Sequence, residues 1–376
     1  MTWRTVKLGE LARVRTGKLD ANAADENGLY PFFTCAVEPL SINTPAFDCK
    51  AILVAGNGDL NVKYYEGKFN AYQRTYVIES LDEKIILPRY LYLFLNEYVN
   101  ELRALAIGGV IKYIKLANLT DAPIPLPPLA EQERIAAILD KAELVMYKRQ
   151  LAIEKLNDLA QSLFVEMFGD FNKKSQFHKL EDLNNLIMET KLGLVRGASE
   201  LNDSNGYPYL RMNAITSNGE LQFNKLMFAD ASDAEVKEYA LKKHDFLFNT
   251  RNSKELVGKT AIFLNENNNY LFNNNIMRMR FNQNANPFYI AYAFKTQYVQ
   301  NQLENIKSGT TNVFAIYFKD LKNIKIPLPN IADQNTFALK IAALDLLKNK
   351  FKENVNAMKV FNASLQNQAF KVGFNA

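Results

Sequence analysis

The chain is poor in cysteine and histidine. Cys35, Cys49, His178 and His244 are all it has in 376 residues, too few and too scattered for a disulfide framework or a Cys/His zinc site. Reduced thiols and no bound metal are expected. Long hydrophobic runs are missing too: no stretch approaches the roughly 18 uninterrupted apolar residues of a membrane span. The opening Met1-Thr2-Trp3-Arg4-Thr5-Val6-Lys7 lacks the apolar centre of a secretion signal. A soluble, cytoplasmic protein is the expectation. There is no excess of charge of one sign either. With 45 Lys+Arg against 40 Asp+Glu, the formal net charge is only +5. Any nucleic acid would have to be met by local patches or by the field of a second subunit.

Nucleotide and catalytic signatures are absent or broken. Gly258-Lys259-Thr260 ends like a phosphate-binding loop, but Ser253 stands where the first glycine belongs, and Ala261-Ile262-Phe263-Leu264 reads as a strand instead of the helix that would hold phosphate. Asn286-Pro287-Phe288-Tyr289 is one proline short of the Asn-Pro-Pro-aromatic tetrapeptide with which amino-methyltransferases hold a target amine. It reads better as a helix N-cap with proline behind it. Nothing assembles a nucleophile, its base and an oxyanion site. Binding, not catalysis, is the function expected.

What is present is enough apolar material, 48% hydrophobic and 12% aromatic, for two or three folded domains, and an internal repeat. Ile124-Pro125-Leu126-Pro127 returns 202 residues later as Ile326-Pro327-Leu328-Pro329. An acidic residue and glutamine follow each time, Glu131-Gln132 and Asp333-Gln334, and then a long proline-free helical pattern. In the first copy Ile135, Ile138, Ala142, Val145, Arg149, Ala152, Leu156, Leu159 and Leu163 form a seam of alternating three and four spacing. The second places Phe337, Ile341, Leu344, Leu347 or Lys348, Phe351, Val355, Met358 and Leu365 on a similar, less regular stripe. Helices of nearly 40 residues would each reach about 60 Å, and each needs a partner for its apolar seam. The other copy is the nearest candidate, in an antiparallel coiled coil.

The segments upstream of each helix correspond as well. Tyr30-Pro31-Phe32-Phe33 is echoed by Tyr207-Pro208-Tyr209-Leu210, the buried-strand pattern Ala51-Ile52-Leu53-Val54-Ala55 by Asp245-Phe246-Leu247-Phe248-Asn249, and the aromatic helix opened by Pro88 by the one opened by Pro287. The fold expected is α/β (α+β), with two copies of one domain alternating with two long helices about a pseudo-twofold repeat. The boundaries expected are 1–128 for the first domain, 129–168 for the first helix, 169–330 for the second domain and 331–376 for the second helix and tail.

At Pro125-Leu126-Pro127-Pro128-Leu129-Ala130-Glu131-Gln132-Glu133-Arg134-Ile135-Ala136-Ala137-Ile138-Leu139 the chain resembles the specificity subunit of type I restriction-modification systems, and its domain, helix, domain, helix order extends the resemblance over nearly the whole length. The second copy departs from that pattern at Asn330-Ile331-Ala332-Asp333-Gln334-Asn335-Thr336-Phe337. The resemblance implies a non-catalytic subunit that reads an asymmetric, bipartite target in double-stranded DNA. It would join two adenine methyltransferase subunits and, through them, restriction subunits. S-adenosylmethionine would belong to the methyltransferase partner and ATP with Mg to the restriction partner, with no cofactor on this chain. Gln132, Ile135, Ile138, Ala142, Val145, Leu156, Gln334, Phe337, Ile341, Leu344 and Phe351 would form the spacer helices and dock partners.

Polar loops after buried strands are where DNA contacts are expected. In the first domain the candidates are Asn57, Lys63, Gln73, Arg74, Lys112 and Lys115. In the second they are Arg211, Asn213, Arg251, Asn252, Lys254, Asn274 and Thr310, the last beside Thr311. Glutamine can pair with adenine and arginine bidentately with guanine. The aromatic helices carrying Tyr90, Tyr92, Tyr289 and Tyr292 are expected in the core, not stacked on bases. Two alternatives remain open on sequence alone: a coiled-coil adaptor that joins proteins without reading DNA, and a stand-alone enzyme acting on nucleic acid.

Overall fold

The computed structural model describes residues 3–173, 179–224, 226–267, 269–309 and 313–372. His178, Thr310 and Thr311 lie outside them. Residues up to 152 together with those from 351 onward form one compact unit, and residues 153–350 form the other.

In chain order the first unit runs β1 (Thr5–Lys7), α1 (Leu8–Leu11), β2 (Ala12–Thr16), β3 (Tyr30–Phe33), β4 (Leu40–Ile42), β5 (Phe47–Ala55), β6 (Val62–Ala71), β7 (Thr75–Ser80), α2 (Pro88–Leu105), α3 (Leu116–Thr120), β8 (Pro123–Pro125) and the start of α4 (Leu129–Phe168). The second unit takes the rest of α4, then β9 (Lys179–Asp182), α5 (Leu183–Leu186), β10 (Ile187–Leu192), β11 (Leu201–Asn202), β12 (Tyr207–Leu210), β13 (Met227–Ala229), α6 (Asp233–Tyr239), β14 (Phe246–Asn249), β15 (Arg251–Asn252), β16 (Thr260–Ile262), β17 (Leu271–Phe272), β18 (Ile276–Phe281), α7 (Pro287–Ala293), α8 (Gln297–Ile306), β19 (Ser308–Gly309), β20 (Phe314–Ala315), α9 (Phe318–Leu321) and β21 (Lys325–Leu328). The chain closes with α10 (Ile331–Asn367), continued by a π-helical turn, Gln368–Val372.

The two Ile-Pro-Leu-Pro segments do the same work. Each supplies one strand of an antiparallel pair, β8 against β1 with Ile124 opposite Val6, and β21 against β9 with Ile326 opposite Glu181. Prolines are tolerated there because a two-stranded ribbon leaves one edge of each strand without ladder bonds to make. In the first unit a six-stranded sheet follows the order β2-β7-β5-β6-β3-β4, antiparallel except for β3 beside β6. In the second, β10-β18-β14-β16 repeats the order of β2-β7-β5-β6, while β12 lies parallel to β17 as β3 lies parallel to β6. The single strand β6 is thus answered by two short ones. The loop between them contains Asn265 and Asn267, whose side chains accept the N–H groups of Asn267 and Asn269 in successive turns.

The aromatic helices are core elements, as expected. Tyr90 and Tyr289 are fully buried, and each hydroxyl donates to a proline carbonyl of the repeated motif, Tyr90 to Pro125 at 2.8 Å and Tyr289 to Pro327. Asn286 caps α7 through Phe288 N–H at 2.9 Å, so the Asn-Pro-Phe-Tyr tetrapeptide is occupied by structure. Gly258-Lys259-Thr260 leads into β16, a strand.

The helices extend over Leu129–Phe168 and Ile331–Asn367, but each is divided between the two units, because its two ends pack on different domains. In the second unit they run antiparallel: Lys348 donates to Asn157 Oδ1 at 3.3 Å, and Phe337 lies against Phe164 and Phe168 with ring centroids 5.4 and 5.5 Å apart. In the first, the Arg149 guanidinium lies 5.8 Å from the Phe351 ring, and Phe370 packs on Tyr90 and Phe94.

The seam expected on α4 needs correction beyond Val145. The buried positions there are Ile153, Ala160, Phe164 and Phe168, while Leu159 is 51% exposed. A straight α-helix turns 3.6 residues at a time, so a stripe drawn at 3.5 drifts about 20° per heptad and slips by a residue over this length. On α10 the stripe of Phe337, Ile341, Leu344, Phe351 and Val355 is buried or half-buried along its length.

Candidate nucleic-acid interface

Four segments converge at one rim of the first domain. Between β6 and β7 the chain reverses in a tight turn closed by Thr75 N–H to Tyr72 carbonyl at 2.9 Å, with Gln73 and Arg74 at its two corners. The Arg74 carbonyl accepts Gly56 N–H at 2.8 Å, from the loop that follows β5. That loop holds the third segment: Ile114 N–H reaches Gly56 carbonyl and Gly58 N–H reaches Lys112 carbonyl, both at 2.9 Å, with Asn57 bridged to Tyr113. Gly17-Lys18-Leu19, after β2, is the fourth: Leu19 carbonyl accepts Gln73 N–H at 2.9 Å.

The second domain repeats the turn and its bonds to the neighbouring loops. Ile276 N–H closes on Asn273 carbonyl at 3.0 Å, which puts Asn274 and Asn275 at the turn corners. Thr250 N–H donates to Asn275 carbonyl at 2.8 Å, and Ile316 N–H to Thr250 carbonyl at 2.9 Å. Asn273 N–H reaches Leu210 carbonyl as Tyr72 N–H reaches Phe33 carbonyl, both at 2.9 Å. Gln73 therefore corresponds to Asn274, Arg74 to Asn275 and Asn57 to Arg251.

Two glycines permit the close approach on which both rims depend. A Cβ on Gly17 would lie 1.7 Å from Ala71 carbonyl oxygen, and one on Gly193 would lie 2.2 Å from Phe272 carbonyl oxygen. No larger residue fits there. Reading the first half alone gives no sign of Gly17; laying the halves side by side would have paired it with Gly193.

Of the residues chosen from sequence, Asn57, Gln73, Arg74 and Lys112 come together at the first rim, and Arg251, Asn252 and Asn274 at the second. Arg211 shares a cleft of ≈ 290 Å³ with Asn273, Asn274 and Asn275, and Asn213 lies beside it in a smaller recess. A larger cleft of ≈ 560 Å³ on the other side of Asn274 is lined by Arg251, Lys191, Tyr239 and Tyr317, of which only Arg251 was singled out from sequence. Arg74, Lys112, Lys115, Arg211 and Arg251 are exposed and make no ion pair with another described residue. Lys115 precedes α3, where its N–H is capped by Asn118.

Three candidates are otherwise engaged. The Lys63 ammonium, half-buried on β6, donates to Asn61 Oδ1, and desolvation lowers its pKa. Lys254 lies 3.7 Å from Glu304, while its carbonyl accepts Lys307. Asn252 Oδ1 accepts Ser253 N–H at 2.9 Å. Thr310 lies outside the described residues.

A charged cluster ties together the strands of the second domain's sheet at the end away from the rim. Asp245, 2% exposed, accepts both Nε and Nη2 of Arg280 at 2.6 and 3.0 Å, and Glu189 pairs with Arg278 and Arg280. Arg196, missed by sequence reading although it lines the smaller cleft, gives its guanidinium to Glu235 at 2.8 Å. Chemically the rims offer amide and guanidinium donors and amide acceptors in the open. Among the described residues no group of three His, Cys, Asp or Glu stands together as a metal site, and no helix is long and apolar enough to cross a membrane.

The helix residues assigned to partner docking are largely internal. Gln132 is fully buried: its Oε1 accepts Leu87 N–H at 2.9 Å and its Nε2 donates to Ile85 and Pro127 carbonyls at 2.8 and 3.0 Å. Gln334 repeats this with Asn286 N–H at 2.8 Å and the Asn284 and Pro329 carbonyls at 3.1 and 2.9 Å. Ile135, Phe337 and Ile341 are at most 1% exposed, and Ala142 is 9% exposed. These side chains fasten each helix to its own domain, so they are not free to touch a partner. Ile138, Val145, Leu156, Leu344 and Phe351 are half-buried.

Comparison with known proteins places this architecture. The EcoDI type I restriction enzyme specificity subunit of Escherichia coli is 50% identical over 138 residues, 37% of this chain and 30% of that protein. The EcoKI specificity subunit of E. coli K12 is 25% identical over 291 residues, 73% of this chain and 62% of that protein. The chain thus spans less than two thirds of the length of either, although it covers 90% of the MjaVIII specificity subunit of Methanocaldococcus jannaschii at 23% identity. The crystal structure of the type I restriction-modification S subunit from M. genitalium shares the fold over 98% of this chain and 96% of its own, with a TM-score of 0.64 at 16% identity. A family model for the type I restriction modification DNA specificity domain matches residues 1–155 and 172–357, one match to each half of the repeat, and the chain belongs to that family.

Proposed function

We propose that the chain is the non-catalytic, DNA-reading subunit of a type I restriction-modification complex. Each domain reads one half of a bipartite target in double-stranded DNA through its rim of turn and loops, and the long helices set the gap between halves. Two readers on a stiff spacer face the same side of a duplex when their half-sites lie about one helical turn, roughly 34 Å, apart. Two adenine methyltransferase subunits carrying S-adenosylmethionine dock on the chain, and restriction subunits using ATP and Mg join them, in the cytoplasm.

The observation that carries this reading is the pair of rims. One turn with its flanking loops is built twice, with matching bonds between them, and exposes Gln73 and Arg74 in one domain but Asn274, beside a half-buried Asn275, in the other. A shared frame with different exposed side chains suits an asymmetric target, since phosphate contacts position a protein while side chains at base edges specify sequence. Replacing residues 169–330 in the full chain by the equivalent domain of another specificity subunit tests it. One half of the methylation target should change and the other persist; a target unchanged in both halves contradicts the reading.

The low net charge of +5 favours a second reading, an adaptor without DNA recognition. That reading gains if the complex reconstituted with methyltransferase subunits fails to discriminate between DNA sequences.

A further inference from the structure

The two turns allow a finer assignment, which rests on the DNA-reading function proposed above. Both are closed by the same bond, residue 75 to 72 and residue 276 to 273, and both present a carboxamide at the first corner, Gln73 in one domain and Asn274 in the other. Both side chains are exposed. Asn274 makes no side-chain hydrogen bond with another described residue, and it stands between two clefts, lining both. Gln73 is steadied by a long contact, 3.4 Å, from its Nε2 to Asp20.

A terminal carboxamide offers a donor and an acceptor side by side. In the major groove that pair matches N7 and N6 of adenine, an acceptor and a donor on one edge, and no other base presents the same pair. The second corner breaks the symmetry. Arg74 is exposed and unpaired among the described residues, with its carbonyl pinned by Gly56. Asn275 is half-buried, its Nδ2 3.7 Å from Met212 Sδ, and its carbonyl accepts both the N–H and the hydroxyl of Thr250. A free guanidinium matches the two acceptors O6 and N7 of guanine, whereas the shorter, half-buried carboxamide of Asn275, its Nδ2 beside Met212, offers no such fork of donors.

We propose that Gln73 and Asn274 are equivalent specificity-determining residues, each reading an adenine in its own half-site, and that Arg74 reads a guanine next to that adenine in the first half-site only. The target halves therefore share one adenine in a common register and differ at its neighbour.

The test uses the full chain assembled with its methyltransferase subunits and a random double-stranded DNA library, selected and sequenced for wild type, Gln73→Ala, Arg74→Ala and Asn274→Ala. Gln73→Ala should lower discrimination about 10- to 100-fold at one A·T position of one half-site. Asn274→Ala should do the same at one A·T position of the other half-site, and Arg74→Ala at a G·C position adjacent to the first. Because each variant keeps the preference of the untouched half-site, that half reports intact folding. Relaxation at a base pair of the other type, or preferences unchanged in all three variants, overturns the assignment while leaving DNA reading in place. A wild-type complex without any sequence preference overturns both.

Discussion

The side-chain carbonyl of Gln132 accepts the backbone N–H of Leu87 at 2.9 Å, which ties the first turn of the long helix α4 to the residue just before α2. Gln334 holds Asn286 in the same way at 2.8 Å. Each glutamine is fully buried and pairs with three backbone groups, so Gln132→Ala or Gln334→Ala should cost about 1–3 kcal/mol in chemical denaturation, the penalty for leaving buried polar partners unpaired. Stability unchanged in both variants would show that these bonds are replaced by water.

Gly17 and Gly193 should tolerate no side chain. Gly17→Ala and Gly193→Ala each force a methyl into a carbonyl oxygen, at 1.7 and 2.2 Å, so the turn carrying Gln73 or Asn274 must shift. A loss of about 1–3 kcal/mol is expected from such overpacking. In the DNA selection, each variant should degrade the preference of its own half-site alone. Wild-type melting with wild-type target preference would contradict the role given to these glycines.

Removing the carboxylate of Asp245 should be among the most damaging single changes in the second domain. Asp245→Ala removes the buried partner of Arg280 and a counter-charge 4.0 Å from Arg278, itself 3% exposed at its side chain, and leaves both guanidinium groups to share the half-exposed Glu189. Breaking a buried pair from one side costs about 3–5 kcal/mol, and urea denaturation followed by circular dichroism measures it. A loss below 1 kcal/mol would argue that the cluster is solvated.

Acid should act on the cap of α6. The Ser232 N–H, with the Arg196 guanidinium beyond it, holds the Glu235 carboxyl down at about 2. A depressed folded value means the ionised carboxylate stabilises the fold. That contribution is whole above the ordinary glutamate range and disappears as the pH falls through about 2. NMR titration of the Glu235 side chain should give this value, and Arg196→Ala should move it upward. A titration at the ordinary glutamate value in the wild type would contradict the geometry.

The repeat, the aromatic core helices and the lengths of the long helices were legible in the sequence, because proline positions and apolar periodicity are local signals. Where the seam of α4 slips past Val145, a 3.5-residue pattern was laid on a straight 3.6-residue helix. The roles of Gln132 and Gln334 were not legible. A glutamine at the head of a helix looks solvated or available for docking until the loop it holds, 45 or more residues away, is in place. The rims were half legible. Loop position suggested Gln73, Arg74, Arg251 and Asn274, but which of the polar residues are tied inward, as Lys63 is by Asn61, depends on neighbours that only the fold supplies.

The central claim, that this chain gives a methyltransferase its DNA target, is tested most directly by a genome-wide single-molecule map of N6-methyladenine. Cells carrying the chain with its methyltransferase partner are compared with cells lacking only the chain. Methylation should vanish at one asymmetric, bipartite motif and persist elsewhere. An unchanged map, with the partner expressed and active, would contradict the account.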